Sequence, residues 1–482
     1  MSRSTCAFRN FLVILLLLAA AASPAAASSV LKAQGRFFLD SAGRTVILRA
    51  INVAGNSKVP PYIPITNLAQ LDPLPGWGFN TIRLLFTWEA YETSPGVYNT
   101  TYLNQITSIA DGAWARGMYV IIDFHQDGFS RYSAFGCGDG FPLWAVPPDV
   151  TPATPDNGSS CGDWAIKMTL DAGMHTSYSR FFANDYGVRT RYLALWQKLA
   201  TNFKTHPGVV GYDLFNEPWG WEAAELAPLY NDAAAVIRAT DSTAILFIEG
   251  HVTTNGGGQT SLPKPSFGNF AYAPHFYDGG VLATKIYSGL SSTTDGAFST
   301  MNSKAAEWNV PLFVGEFGAF AATWNGNAYM DLQYKRLNDY LASGAQWNYT
   351  PLWLPTAKDG WNAEDLSIVD NLGNIRGEIF QIRPQAQKIS GTPTQISVTE
   401  TGLFSSNSIE LKWNHVPSTG STTLFVPKSV LFGSAQVKIE KSGTNLSCSY
   451  NSAQTYVTCT STSGGSMRVK VRPCTMVFGA CM

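Results

Sequence analysis

Eight short apolar runs separated by longer amphipathic stretches limit what this chain can fold into. The runs are "VILRAINV" (46 to 53), "NTIRLLF" (80 to 86), "YVIIDF" (119 to 124), "VVGYDLF" (209 to 215), "AILFIEG" (244 to 250), "FAYAPHF" (270 to 276), "PLFVGEF" (311 to 317) and "AQWNYTPL" (345 to 352). Near-continuous apolar runs of this length fit strands of a parallel sheet covered on both faces. Between the second and third runs, Leu103, Ile106, Ala110 and Ala113 recur at three and four residues, as the buried face of a helix does. Eight such strand and helix units predict an α/β fold, a (β/α)8 TIM barrel over residues 28 to 385. The competing open doubly wound sheet is disfavoured because no GxGxxG follows the first run.

Residues 128 to 190, after the third strand, are unusually long for a connection and rich in Gly, Pro, Ser and aromatics. A loop of that size leaving the C-terminal end of a barrel strand is expected to form a wall of the cleft. Beyond "IRPQAQKISGTPTQ" (382 to 395) the pattern changes. "SIELKW", "QVKIEK" and "MRVKVRP" alternate apolar and polar residues between Ser, Thr and Gly. This predicts a C-terminal all-β sandwich over residues 394 to 482.

Residues 1 to 27 carry Arg3 and Arg9, then "FLVILLLLAAAA", then "AAA". That order reads as a secretory signal peptide and predicts a secreted protein. Removing Arg3 and Arg9 from the 33 basic residues leaves 31 against 34 acidic, which gives no basic face for nucleic acid. Six cysteines remain after Cys6, an even number that favours disulfides in an exported chain. Their spacing suggests three local pairs, 137 with 161, 448 with 459 and 474 with 481, with a metal site as the alternative although no CxxC occurs. Sequons at Asn99, Asn157 and Asn445 offer glycan sites, whereas one at Asn348 is expected to be buried.

The chemistry is concentrated at strand ends. "GYDLFNEPWG" runs from a buried strand into Asn216 and Glu217, and "FVGEFG" delivers Glu316 at the end of the seventh strand. Desolvating a carboxylate is costly, so each glutamate must be paired or at work. Two carboxylates facing each other across a barrel suit retaining glycoside hydrolysis, in which one protonates the leaving oxygen and the other attacks the anomeric carbon. The bland alternative is a rim ion pair for each. Glu249, at the end of the fifth strand, is a third rim carboxylate with a supporting role.

"FNEP", "VGEFG", "RLLFTWEA" and "DFHQD" resemble the family five glycoside hydrolases. More narrowly, "NSKVPPY", "DFHQDGFSRY", "GDGFPLWA", "WNYTP" and "DGWNAEDLSI" are similar to stretches of endoglycoceramidases and their close relatives. The resemblance implies Glu217 as acid/base and Glu316 as nucleophile. It implies that Asn216 bonds the sugar 2-hydroxyl and that Arg83 and Tyr277 bond the nucleophile. His125 and Asp127 would bind sugar hydroxyls, Trp347 would floor the sugar subsite, and Lys58 would touch sugar. Each has a plainer reading: Arg83 as a structural rim residue, Trp347 as core filler, Lys58 as a solvated lysine, and His125 and His275 as hydrogen bonders or metal ligands lacking a third partner.

The same resemblance implies a metal-independent, cofactor-free, monomeric enzyme that splits the glycan from the ceramide of glycosphingolipids. An activator protein or detergent-like lipid is a further expected partner, and the membrane is met only through the lipid. The alternatives are a β-glucosidase of glucosylceramide or sterol glucoside, a β-1,4-glucanase or mannanase, and a non-catalytic glycolipid-binding protein. A lipid aglycone calls for an apolar groove, for which Phe129, Phe135, Phe141, Leu143, Trp144, Trp219 and Trp221 are candidates.

Overall fold

The computed structural model describes residues 30–156, 158–399, 408–427, 436–453, 455–474, 476–477 and 480–481. The expected signal peptide and Asn157 lie outside them. So do the side chains of Cys474 and Cys481, and with them the third expected disulfide.

The eight predicted strands are all present: β1 (Arg49–Val53), β2 (Thr81–Thr87), β3 (Tyr119–His125), β4 (Val209–Asp213), β5 (Ile245–Ile248), β6 (Phe270–Tyr272), β7 (Phe313–Phe317) and β8 (Ser343–Tyr349). Every residue in them is buried, which is why they read as apolar runs rather than alternating ones. They pair in parallel in the order β6-β5-β4-β3-β2-β1-β8-β7. Parallel bridges Tyr272 to Leu312 and Phe276 to Phe317 close the ring between β6 and β7. The helix Thr100–Ala115 turns Tyr102, Ile106, Ile109, Ala110 and Ala113 inward, close to its expected face, and is capped by the Asn99 side chain accepting from Tyr102 N–H. Asn348 is fully buried, as expected for that sequon.

The long connection after β3 folds back on itself at Asp127 and Asp139, which form an antiparallel bridge. Gly140 makes this approach possible. Its φ is +103°, and a Cβ there would stand 2.3 Å from that of Gln126. The Cys137–Cys161 disulfide staples the segment.

The second unit is a sandwich. A seven-stranded sheet and a four-stranded sheet share a core that includes Ile389, Ile396, Ile409, Trp413, Leu424, Val457 and Val469, with the Cys448–Cys459 disulfide at the edge. This sheet crosses the boundary expected from sequence. The strands Leu31–Gln34, Phe37–Asp40 and Thr45–Val46 belong to it, because Val46 and Thr45 pair with Lys388 and Ile389 in the strand Gln385–Ile389. Thr45 and Val46 therefore hydrogen-bond with the C-terminal module and bring the hairpin before them into its sheet, while Leu31 and Phe38 also pack into the base of the barrel, Phe38 with its ring 5.9 Å from that of Phe247.

Candidate active site

β4 leads into Leu214 and Phe215, both fully buried, and Phe215 is anchored among Phe124, Phe141, Phe181 and Tyr192. The chain then turns sharply. Glu217 has φ +43°, a left-handed backbone that a glutamate adopts only when its surroundings impose it. Two neighbours do so. Gln126 Nε2 donates to the carbonyls of Asn216 (2.6 Å) and Glu217 (3.1 Å), and Glu217 N–H donates to Glu249 Oε1 at 2.9 Å. Glu249 is wholly enclosed and supports the turn, as the sequence reading assigned it.

Arg83, midway along β2 and fully buried, is the hub on which the two carboxylates are built. Its guanidinium donates to Asp213 Oδ2 (2.8 Å), Asn52 Oδ1 (3.1 Å), Asn216 Oδ1 (2.9 Å) and Glu316 Oε1 (3.0 Å), and ion-pairs with Asp123 at 2.9 Å. Burial alone would weaken its charge, but Asp123, Asp213, Glu316 and Glu249 outweigh that and hold it protonated. The other oxygen of Glu316 accepts from the Tyr277 hydroxyl at 3.0 Å. Glu217 has different company. Its Oε1 accepts from Asn255 Nδ2 at 2.8 Å and lies 2.9 Å from His275 Nδ1.

The ligating atoms of Glu217, His275 and Glu316 all lie within 4.8 Å of one another, so the two carboxyls face each other closely. Their electrostatics differ. Burial, with Asp127 adding to it, pushes Glu217 up to about 8. Glu316 is also raised by burial, but the Arg83 guanidinium draws it back. His275 itself is lowered to about 4 by burial, so at neutral pH it is an uncharged partner of Glu217. One carboxyl is thus inclined to keep its proton and the other sits against a fixed cation, a division that acid and nucleophile roles require.

A second polar cluster flanks the pair. Lys58, expected either to touch sugar or to be solvated, is 3% exposed. Its ammonium pairs with Asp127, lies 3.9 Å from Asp139, and sits over the rings of Trp361 (3.7 Å) and Trp347 (4.6 Å). Burial opposes that charge, yet Asp127, Asp139 and Glu364 outweigh it and raise Lys58 overall. His125 Nδ1 is 2.8 Å from Asp123 Oδ2, and its ring stacks on Trp347 at 5.5 Å. Trp347 Nε1 donates to Glu364 at 3.3 Å.

Every site residue expected from sequence therefore falls into one contiguous network: Lys58, Arg83, His125, Asp127, Asn216, Glu217, His275, Tyr277, Glu316 and Trp347. Within it, Arg83 and His275, both counted among the candidate substrate-binding residues, are fully enclosed and have the carboxylates as their partners. Three of the groove candidates are corrected. Phe129 and Phe141 stack on each other at 4.1 Å with no exposure, and Trp144 packs edge-on against Trp88 while donating to the Glu92 carbonyl at 2.8 Å. Phe129 and Phe141 are core aromatics of the loop after β3, and Trp144 is half-buried against that core. Phe135, Leu143 and Trp221 are exposed. Trp219 is half-buried, stacked on His175 at 4.6 Å and tilted against His251 at 5.0 Å. From Trp219 opens a cleft of about 550 Å³, lined also by Tyr178, Trp221, Glu225 and Thr254.

Asn52, Gln126, Asn255 and Trp361 complete the network without having been singled out. Trp361 lies inside "DGWNAEDLSI", quoted above only as a likeness, and Asn255 carries no local signal. Among the described residues, three groups of potential metal ligands cluster. In one, Cys137 and Cys161 are bonded to each other. In a second, around His125, Asp127 and Asp139, the Lys58 ammonium already supplies the positive charge. The third is the carboxylate pair with His275, already countered by Arg83.

The family model "Cellulase (glycosyl hydrolase family 5)" matches residues 39–352, and the "Glycoside hydrolase family 5 C-terminal domain" matches residues 383–471. Endoglycoceramidase I of Rhodococcus hoagii is 30% identical over 322 residues, covering 60% of this chain and 63% of that protein. The endoglycoceramidase of Cyanea nozakii is 30% identical over 251 residues, covering 44% of this chain and 49% of that one. The chain thus spans less than two thirds of the length of these relatives. The structure of endo-glycoceramidase II from Rhodococcus sp. with ganglioside GM3 superposes with a TM-score of 0.76 at 23% identity, covering 92% of this chain and all of the other, a likeness of fold.

Proposed function

Because the chain belongs to glycosyl hydrolase family 5, we propose that it is a retaining glycosidase cleaving the β-glycosidic bond between the glycan and the ceramide of glycosphingolipids. The observation that carries the reading is the facing pair Glu217 and Glu316, held within 4.8 Å and pushed apart in acidity by unlike surroundings. Glu316, oriented by Arg83 and Tyr277, attacks the anomeric carbon; Glu217 gives its proton to the departing oxygen and then takes one from water. Lys58, His125, Asp127 and Trp347 hold the first sugar, and Asn216 holds its 2-hydroxyl. The cleft at Trp219 and Trp221 receives the aglycone side. The kinship with endoglycoceramidases in sequence supports the substrate class. Two disulfides fit export to an oxidising compartment.

The test is a pair of variants. Glu316→Ala abolishes turnover of every glycoside, because no covalent intermediate forms. Glu217→Ala spares substrates with activated leaving groups and loses about 10²- to 10⁴-fold on the natural bond. Azide then gives a β-glycosyl adduct with Glu217→Ala and an α adduct with Glu316→Ala. The same anomer from both would reverse the reading of roles. Release of intact oligosaccharide and ceramide from a ganglioside, identified by mass, tests the substrate class; monosaccharides alone would contradict it.

A further inference from the structure

Resting on the reading of Glu217 as the general acid, we propose that Glu222 is a positioning residue that fixes Asn255 against that acid by tying the loop after β4 to the loop after β5. Glu222 opens a π-helical turn, Glu222–Leu226, of a kind that recurs beside functional sites, and its side chain is largely buried. Yet all of its bonding goes to the other loop. Oε1 accepts from His251 N–H at 2.9 Å and from the Thr260 hydroxyl; Oε2 accepts from both the N–H and the hydroxyl of Ser261. Gly250 is shaped to this contact, since a Cβ there would stand 2.5 Å from Glu222 Oε1.

The loop so held, residues 249 to 261, carries three contacts to the acid's own turn. Glu249 accepts from Glu217 N–H, Val252 N–H donates to the Pro218 carbonyl at 2.9 Å, and Asn255 Nδ2 donates to Glu217 Oε1 at 2.8 Å. Asn255 is not oriented by its own amide oxygen, which is buried without a partner. Its place depends on its backbone, which is held at one point by Tyr277 N–H donating to its carbonyl at 2.9 Å and otherwise by the loop itself. Burial tends to raise Glu222, but the bonds from Ser261, Thr260 and His251 outweigh it and hold the side chain as an anion. A glutamine there presents an N–H₂ to donors on Thr260, Ser261 or His251, so at least one of the four bonds turns into a clash of donors.

The experiment records kcat/KM against pH for the wild type, Asn255→Ala, Glu222→Gln and the double variant, with thermal stability alongside. Asn255 donates to Glu217, so its loss favours the protonated acid and moves the alkaline limb upward by about 0.5 to 1 pH unit. Glu222→Gln moves the limb in the same direction, and the double variant goes no further than Asn255→Ala, because both changes break one contact. The charged and titratable groups that face Glu217, namely Asp127, Lys58, His125, Glu364, His275, Tyr277, Glu249 and Glu316, are unchanged in every variant, as are His251 and His175 beside Glu222. An unmoved limb in Glu222→Gln, even with lowered stability, or additive shifts, would overturn the proposal. Should Glu222→Gln fail to fold, Ser261→Ala and Thr260→Val remove its partners singly, and a limb unmoved by both has the same meaning. If the alkaline limb persists in Glu217→Ala, the failure belongs to the assignment of the acid instead.

Discussion

The two flanks of the cleft are built on opposite principles. Beside β1, β3 and β8, Lys58, Asp127, Asp139 and His125 are packed with Trp347 and Trp361, each at most 3% exposed. Beyond β4 and β5, Trp219 is half-buried between two histidines, Trp221 is 79% exposed, and the space is open. The first flank spends desolvated charge, which is tolerable only while every ion keeps its partner. The second spends aromatic surface, which costs little to alter and adapts to what it meets. A rigid charged wall suits a ligand with fixed hydroxyls; a loose aromatic one suits an aglycone of varied shape.

Lys58 is where the two flanks differ most in what a single substitution costs. Lys58→Met leaves Asp127 buried with only His125, 3.4 Å away, and Asn216 to answer it and Asp139 without its cation, a loss of about 3 kcal/mol, and kcat/KM falls by about 10²- to 10³-fold equally for lipid and soluble glycosides. A loss confined to lipid substrates would show that this flank does not serve the sugar. Next in size is pH. With Glu217 at about 8, kcat/KM declines above that point by about tenfold per unit, and Glu217→Ala removes the limb. The folded state holds this proton more tightly than the unfolded chain does. The stability it contributes is therefore full below the ordinary value of 4.5 and is lost as pH rises through about 8, which denaturation midpoints across that window will register.

On the open flank, Trp219→Ala lowers kcat/KM by about tenfold on a glycosphingolipid while a soluble aryl glycoside changes by less than about twofold. Equal losses would mean that Trp219 supports the acid's turn and not the aglycone. The smallest effect is at Trp221, whose replacement by Ser alters lipid turnover by about twofold and leaves the melting temperature in place, as for other exposed positions.

Much of this was legible because burial leaves a mark on sequence. Strands covered on both faces must be apolar throughout, so Arg83 in "TIRLLF", Glu316 near the end of β7 and Glu217 just beyond β4 stand out as polar residues that need a reason. Asn255 lies 38 residues from the glutamate it touches, in a Thr-, Asn- and Gly-rich loop with no periodicity, and only the folded loop makes the contact. Phe129 and Phe141 show the converse: an aromatic in a long loop reads the same whether it lines a groove or fills the core beneath it. Lys58 was ambiguous for a related reason, since whether a lysine is solvated depends on Asp127, which the sequence places 69 residues away. The pairing of residues 45 and 46 with 388 and 389 has no local trace at all.

That last pairing bears on how the protein is made. The hairpin of Leu31–Gln34 and Phe37–Asp40 presses Phe38 into the foot of the barrel, yet its sheet runs through Thr45–Val46 to Gln385–Ile389 and on to Thr422–Phe425. On a ribosome, these strands can join Gln385–Ile389 only after all eight barrel strands between them have been synthesised. Until then the growing barrel has its floor tethered to an unpaired edge, an opening for misassembly that early β-strands with distant partners always present.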